Sequence, residues 1–187
     1  MAQAATLDDK QLQRVLDYLA KRRHYRRNRT MILLTHWSML RVGEVAALRY
    51  VDVLTADGEI RAEAVLSAKQ TKGDKSRRIW FNQRMRAELA LYVAAHKPKN
   101  LNSPLFYTQR SEGFTANTLT HIINGIYQKA GINASSHSGR RTGLTNLADK
   151  GVSVRVLMAL AGHSQIATTQ RYIDLRPSVV KAAVELI

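Results

Sequence analysis

Apolar positions recur along most of the chain at intervals of three and four residues, the pattern of helices that bury one face. The first run places Leu12, Val15, Leu16 and Leu19 behind Leu7-Asp8-Asp9, whose aspartates suit a helix start. Residues 31–40 are apolar and read as a buried helix, and a short helix begins at Glu44. Helical patterns return at 83–96, 115–131 and 138–150, with shorter helices at 154–161 and in the region 166–172. Pro177 opens a last helix over 179–187. The period changes once. After the turn signal Ala56-Asp57-Gly58, residues 60–66 and 77–81 read as two strands joined by a polar loop, 67–76, with Gly73 and Asp74 at its tip. The expected fold is mainly α with a small antiparallel β-sheet, an α+β domain. No internal repeat, low-complexity stretch or linker divides the chain, so residues 1–187 are expected to form a single domain.

Composition turns attention to a polyanionic partner. Apolar residues make up 45% of the chain, enough for a packed core, yet 29 Lys and Arg against 14 Asp and Glu leave a net charge of +15. Such a charge on a folded domain points to nucleic acid before acidic membranes or acidic proteins. The absence of cysteine excludes disulfides, thiol catalysis and cysteine-bound zinc. No apolar run approaches the ~20 residues of a membrane span, and no secretory pattern opens the chain. The expected location is therefore the cytoplasm, with the DNA. The segment Lys21-Arg22-Arg23-His24-Tyr25-Arg26-Arg27-Asn28-Arg29 is either a DNA-backbone contact through Arg22, Arg23, Arg26 and Arg27 or a solvated helix end.

Three blocks hold residues able to do chemistry. Arg41 follows an apolar segment and Glu44 lies three residues on, close enough to meet on a helix. The pair is either a structural ion pair or the edge of an anion site. In His137-Ser138-Gly139-Arg140-Arg141, His137 and Arg140 share a face at a helix N-terminus, where free N–H groups favour phosphate. In the third, His163 follows the small-residue turn Ala161-Gly162, and Tyr172 comes nine residues later. Each of these has a bland reading alone, and Tyr172 is one of seven tyrosines.

Taken together and in order, Arg41, a lysine-rich hairpin loop, His137-x-x-Arg140, His163 and Tyr172 resemble the tyrosine site-specific recombinases, the phage integrase family. The resemblance runs over roughly residues 7–175. It is most specific at Leu40-Arg41-Val42-Gly43-Glu44, at Ala161-Gly162-His163 and at Thr168-Thr169-Gln170-Arg171-Tyr172. Three positions depart from the family pattern: Gly139 and Ala161 stand where leucine is usual, and Arg141 where histidine is frequent. The family usually carries a separate N-terminal DNA-clamping domain, and none is expected within these residues.

The resemblance implies strand exchange on double-stranded DNA without a metal, ATP or other cofactor. Tyr172 would attack phosphorus, displace a 5′-hydroxyl and form a 3′-phosphotyrosine. Arg41 and Arg140 would clamp the non-bridging oxygens, for which a planar, permanently charged fork is suited. His163 would add a third donor or help hold the site. A phenol, with a reference pKa of ~10, needs a proton acceptor, and His137 is the candidate. The leaving oxygen needs a proton, for which Lys72 is the best match on the hairpin, with Lys69 and Lys75 as neighbours. Glu44 would orient Arg41. Lys69, Lys75 and Arg141 join the candidate DNA contacts. Four copies on two DNA sites are also implied, joined through a C-terminal helix whose Val179, Val180, Ala183, Val184 and Ile187 form an apolar stripe. That stripe packs either on a neighbour or on its own domain. Two alternatives share part of the evidence: a topoisomerase that nicks and reseals one duplex, and a DNA-binding protein without catalysis.

Overall fold

The structure is a computed structural model, and it describes residues 4–71, 73, 75–98, 100–108, 111–172, 180–181 and 184–185. Its helices in chain order are α1 (Asp9–Ala20), α2 (Tyr25–Trp37), α3 (Val42–Ala47) and α4 (Tyr50–Val53), then α5 (Gln83–Ala95), α6 (Ala116–Lys129), α7 (Ser138–Asp149), α8 (Val154–Ala161) and α9 (Ile166–Gln170). Between α4 and α5 lie two antiparallel strands, β1 (Glu63–Leu66) and β2 (Arg77–Trp80), paired from Glu63 with Trp80 to Leu66 with Arg77. The mainly α chain with one small sheet is the expected class. Among the described residues, no helix is long and apolar enough to cross a membrane.

Local chemistry explains the helix starts. Asp8 caps α1, accepting from the Gln11 N–H at 2.7 Å while the Gln11 side chain returns the bond to the Asp8 N–H. Asn82, Thr115 and Ser153 cap α5, α6 and α8 by accepting the N–H three residues on, and only Thr115 adds the return bond. The core centres on α2, where Met31, Ile32, Leu33 and Leu34 are all fully buried. Around them pack Val15 and Leu19 of α1, Leu89 and Tyr92 of α5, and Leu119, Ile123 and Tyr127 of α6.

The α2–α7 contact needs two glycines one turn apart. A Cβ on Gly139 would collide with the Thr35 hydroxyl and the His36 ring, and one on Gly143 with the His36 carbonyl and the Met39 side chain. Gly139, the departure from the usual leucine, is thus what lets α7 lie against α2. His36 is buried there beside the Tyr127 hydroxyl at 3.1 Å, and burial pushes its pKa down to about 4, so the ring stays neutral. Gly139→Ala is expected to cost about 1–3 kcal/mol through overpacking, read from the midpoint of urea unfolding. An unchanged midpoint would mean that α2 and α7 can part without loss.

Several elements differ from expectation. The helix expected to run through 31–40 stops at Trp37, because Met39 takes a left-handed backbone (φ 52). The helix α4 carries no periodic signature in its four residues. The first strand is shorter than expected: Ile60 makes only an isolated bridge to Leu54. The last helix, expected over 179–187, falls for the most part outside the described residues, and only Val180, Lys181, Val184 and Glu185 of it are described.

Candidate active site

The turn that ends α8 organises the site. Gly162 closes that helix in the left-handed conformation (φ 60), which only glycine adopts without strain. Three successive carbonyls of the turn then face three arginines. Leu160 O accepts from Arg77 Nη1 at 2.9 Å, Ala161 O from Arg140 Nη2 at 2.6 Å, and Gly162 O from Arg41 Nη2 at 3.2 Å. The carbonyl end of a helix carries partial negative charge and lacks intrahelical partners, so it suits cations.

Each arginine has a further anchor. Arg140 is 5% exposed, and its Nη1 donates to Met39 O at 2.6 Å. This bond holds the strained Met39 backbone and so sets the end of α2. Arg41 donates its main-chain N–H to Glu44 Oε2 at 2.7 Å and its Nη1 to Oε1 at 3.0 Å. Glu44, 1% exposed, also receives Arg77, with Nε 2.9 Å from Oε1 and Nη2 3.0 Å from Oε2. The expected Arg41–Glu44 pairing is present, and the carboxylate serves two arginines at once.

Burial, with the charges of Arg41 and Arg77, lowers the Arg140 pKa to about 10, which leaves it charged at neutral pH. His163 sits against it, Nε2 3.0 Å from Arg140 Nη2, and Nδ1 2.9 Å from the Thr169 hydroxyl. A guanidinium only donates, so Nε2 accepts and Nδ1 carries the proton toward Thr169. Burial first, then Arg140, Arg41 and Arg77, pull the His163 pKa down to about 4. In this arrangement His163 is a neutral acceptor against Arg140.

The Tyr172 ring stacks on His163, centroids 5.8 Å apart and planes 22° from parallel, and the Arg141 guanidinium lies 5.6 Å from its centroid. It also packs on the small apolar cluster of Met39, Leu144, Leu157 and Ala161. Arg41, Glu44, His137, Arg140, His163 and Tyr172 all line one cleft of about 700 Å³. His137 is exposed at the start of α7, its Nδ1 3.4 Å from the Ser136 hydroxyl. Lys69 reaches the same cleft, from a loop whose base is tied down by Gln70 bonds to Ala47 O and Asp52. Lys75 is exposed on that loop, and Lys72 lies outside the described residues.

The basic segment splits. Arg22 and Arg23 are exposed in the turn before α2, with Arg22 over the Tyr18 ring, and Arg26 lies over Tyr25. Arg27, expected among the DNA contacts, is buried. It is 9% exposed, donates to Tyr107 O at 3.0 Å and lies 5.1 Å from the Phe114 ring. These residues are at the far end of α2, on the order of 15–20 Å from Trp37 at 1.5 Å per residue. Arg77 was missed by sequence reasoning. Its only signal was a charged residue opening a strand after the lysine loop, which in so basic a chain distinguishes nothing.

The geometry defines a cleft lined by Arg41 and Arg140 with a tyrosine on its wall. The model of the phage integrase family matches residues 5–178, and the chain belongs to that family. It is 26% identical over 184 residues to tyrosine recombinase XerA of Pyrococcus furiosus, covering 96% of this chain and 60% of the relative. It is 34% identical over 152 residues to tyrosine recombinase XerD of Ralstonia nicotianae, covering 78% of this chain and 47% of the relative. The chain thus spans about half the length of the curated relatives it matches. In fold it is similar to the Tn1549 transposon integrase solved in complex with transposon right end DNA, with a TM-score of 0.75 and 18% identity, covering 98% of this chain and 66% of that one.

Proposed function

We propose that this chain cleaves and rejoins DNA strands as a site-specific recombinase, through a covalent 3′-phosphotyrosyl intermediate on Tyr172. The observation that carries this reading is the convergence of Arg41, Arg140, His137, His163 and Tyr172 on one cleft from three separate stretches of chain. Solved relatives of the same fold bound to DNA support the choice of partner.

The steps follow from the side chains. The scissile phosphate enters between Arg41 and Arg140, whose charges offset those gathering on the non-bridging oxygens at the transition state. Both guanidiniums are already held by Glu44, Met39 O and the α8 turn, so little reorganisation is needed. The Tyr172 oxygen attacks phosphorus and gives its proton to His137. The P–O5′ bond breaks, and the leaving oxygen takes a proton from a lysine of the loop that carries Lys69, Lys72 and Lys75. A free 5′-hydroxyl reverses the sequence on the same or another strand. One phosphodiester replaces another, so the bond energy is retained. Arg22, Arg23, Arg26 and Arg141 add backbone attraction. Four copies act on two sites, a reading supported by the exposure of Val180 (51%) and Val184 (60%) in the C-terminal stretch.

The test is covalent capture. The protein is incubated with a pool of nicked duplexes of randomised sequence that lose a short 5′-hydroxyl fragment on cleavage, then denatured. Recovery of DNA bonded to a Tyr172 peptide is expected, and sequencing the pool gives the site. A protein that binds the pool but yields no denaturant-resistant adduct is a binder and not this enzyme. Affinity for duplex is expected to fall by about 10³-fold or more between 50 and 200 mM salt, as for six or more phosphate contacts. Fluorescence anisotropy measures it, and a flat response would contradict a phosphate-dominated footprint.

A further inference from the structure

The arginine that sequence reasoning passed over is held between two groups of the site. The Arg77 side chain is 9% exposed, and it does not line the cleft. Its guanidinium is used on two sides. Nη2 donates to Glu44 Oε2 at 3.0 Å, Nε lies 2.9 Å from Oε1 as an ion-pair contact without hydrogen-bond alignment, and Nη1 reaches across to Leu160 O at 2.9 Å. Only a planar fork can meet a carboxylate side-on and a carbonyl with its remaining nitrogen; an ammonium can serve one or the other well.

The two partners are the two groups that aim Arg41. Glu44 holds the Arg41 Nη1 and main-chain N–H, and the α8 turn holds its Nη2 through Gly162 O. Without Arg77, Glu44 would be free to swing on a single cation, and Leu160 O would lose its donor. The packing is close on the same side. A Cβ on Gly162 would come within 2.6 Å of Arg77 Cδ. A displaced Arg77 therefore moves the turn that also seats Arg140 and His163.

We propose that Arg77 is a positioning residue for phosphoryl transfer: it never touches DNA, and it sets the Arg41 fork by locking Glu44 to the C-terminal turn of α8. This rests on the strand-transfer reading above. It predicts a defect in the chemical step and not in DNA binding. It also predicts that the defect depends on the charge of the scissile phosphate, because Arg41 acts on that charge.

The experiment uses Arg77→Met and Arg77→Lys on the duplex recovered by covalent capture. Single-turnover cleavage is measured with a normal phosphate and with a methylphosphonate at the scissile position, which lacks one non-bridging charge. With the normal phosphate, Arg77→Met is expected to cleave about 10²-fold more slowly, the scale of a small misplacement of a catalytic group. Its Kd for DNA stays within about threefold. Arg77→Lys, which keeps the charge but not the fork, is expected to fall between it and the unaltered protein. On the methylphosphonate both variants are expected to approach the unaltered protein. An equal deficit on both substrates would mean that Arg77 only supports the fold, and a loss in Kd with normal cleavage would make it a DNA contact. Either overturns the proposal, as does wild-type cleavage by both variants. If Arg77→Met fails to unfold cooperatively, Arg77→Lys on the two substrates decides alone. No adduct with the unaltered protein would instead overturn the strand-transfer reading, and the Arg77 role with it.

Discussion

Tyr172→Phe is expected to abolish the covalent protein–DNA adduct and to leave the fold and DNA affinity in place. The substitution removes one hydroxyl. The ring keeps its stack on His163, its contact with Arg141 and its seat on Met39, Leu144, Leu157 and Ala161. Stability is expected to change by less than about 0.5 kcal/mol, because none of those contacts uses the oxygen. Cleavage is expected to fall by at least ~10⁴-fold, since no other atom of the ring can attack phosphorus. Denaturing gels of the captured DNA measure the first effect, and anisotropy under the same conditions measures the second. Undiminished adduct in the variant would assign the nucleophile to another residue. Lost DNA binding would make Tyr172 part of the footprint rather than of the reaction.

Arg140→Lys is expected to cost more in structure and less in mechanism. The guanidinium donates to Met39 O, to Ala161 O and to His163 Nε2. A lysine head has one nitrogen, which cannot reach three acceptors spread along a planar fork. At least one buried carbonyl is left unpaired, at about 1–3 kcal/mol, and the strained Met39 backbone loses its restraint. The phosphate loses a preorganised donor in a partly dry cleft, worth about 10²–10³-fold in rate. Urea unfolding should show lowered stability, and single-turnover cleavage should fall by about 10³-fold even where the variant is fully folded. Wild-type cleavage by Arg140→Lys would remove Arg140 from the clamp.

The helices were legible where a long amphipathic face repeats. The starts and ends of α1, α6, α7 and α8 follow from apolar spacing and caps at Asp8, Thr115 and Ser153. The order of chemical residues was legible too, because Arg41, His137, Arg140, His163 and Tyr172 sit at spacings that a family resemblance can read. What escaped is set by contacts between distant segments. The end of α2 depends on a left-handed Met39 whose carbonyl is drawn to Arg140, 101 positions on. Arg27 and Arg77 read as two more cations in a chain with 29 Lys and Arg, and only the folded chain buries them. The neutrality of His163 follows from its burial and then from three arginines that approach from elsewhere in sequence. The reason for glycine at 139 appears only when Thr35 and His36 lie against it.

The arginines of this site are received by the main chain of 160–162 and not by its side chains. Main-chain carbonyls are the same whatever residue carries them, so the clamp is insulated from substitution along that turn. Ala161 can stand where leucine is usual without altering the bond to Arg140, provided its neighbours accommodate the volume. Gly162 has no such latitude, since its backbone angle and the Arg77 stem beside it both forbid a Cβ. For redesign, residues 160 and 161 are therefore positions where packing can be tuned while the reactive groups stay put, and residue 162 is the hinge-pin that must be left alone.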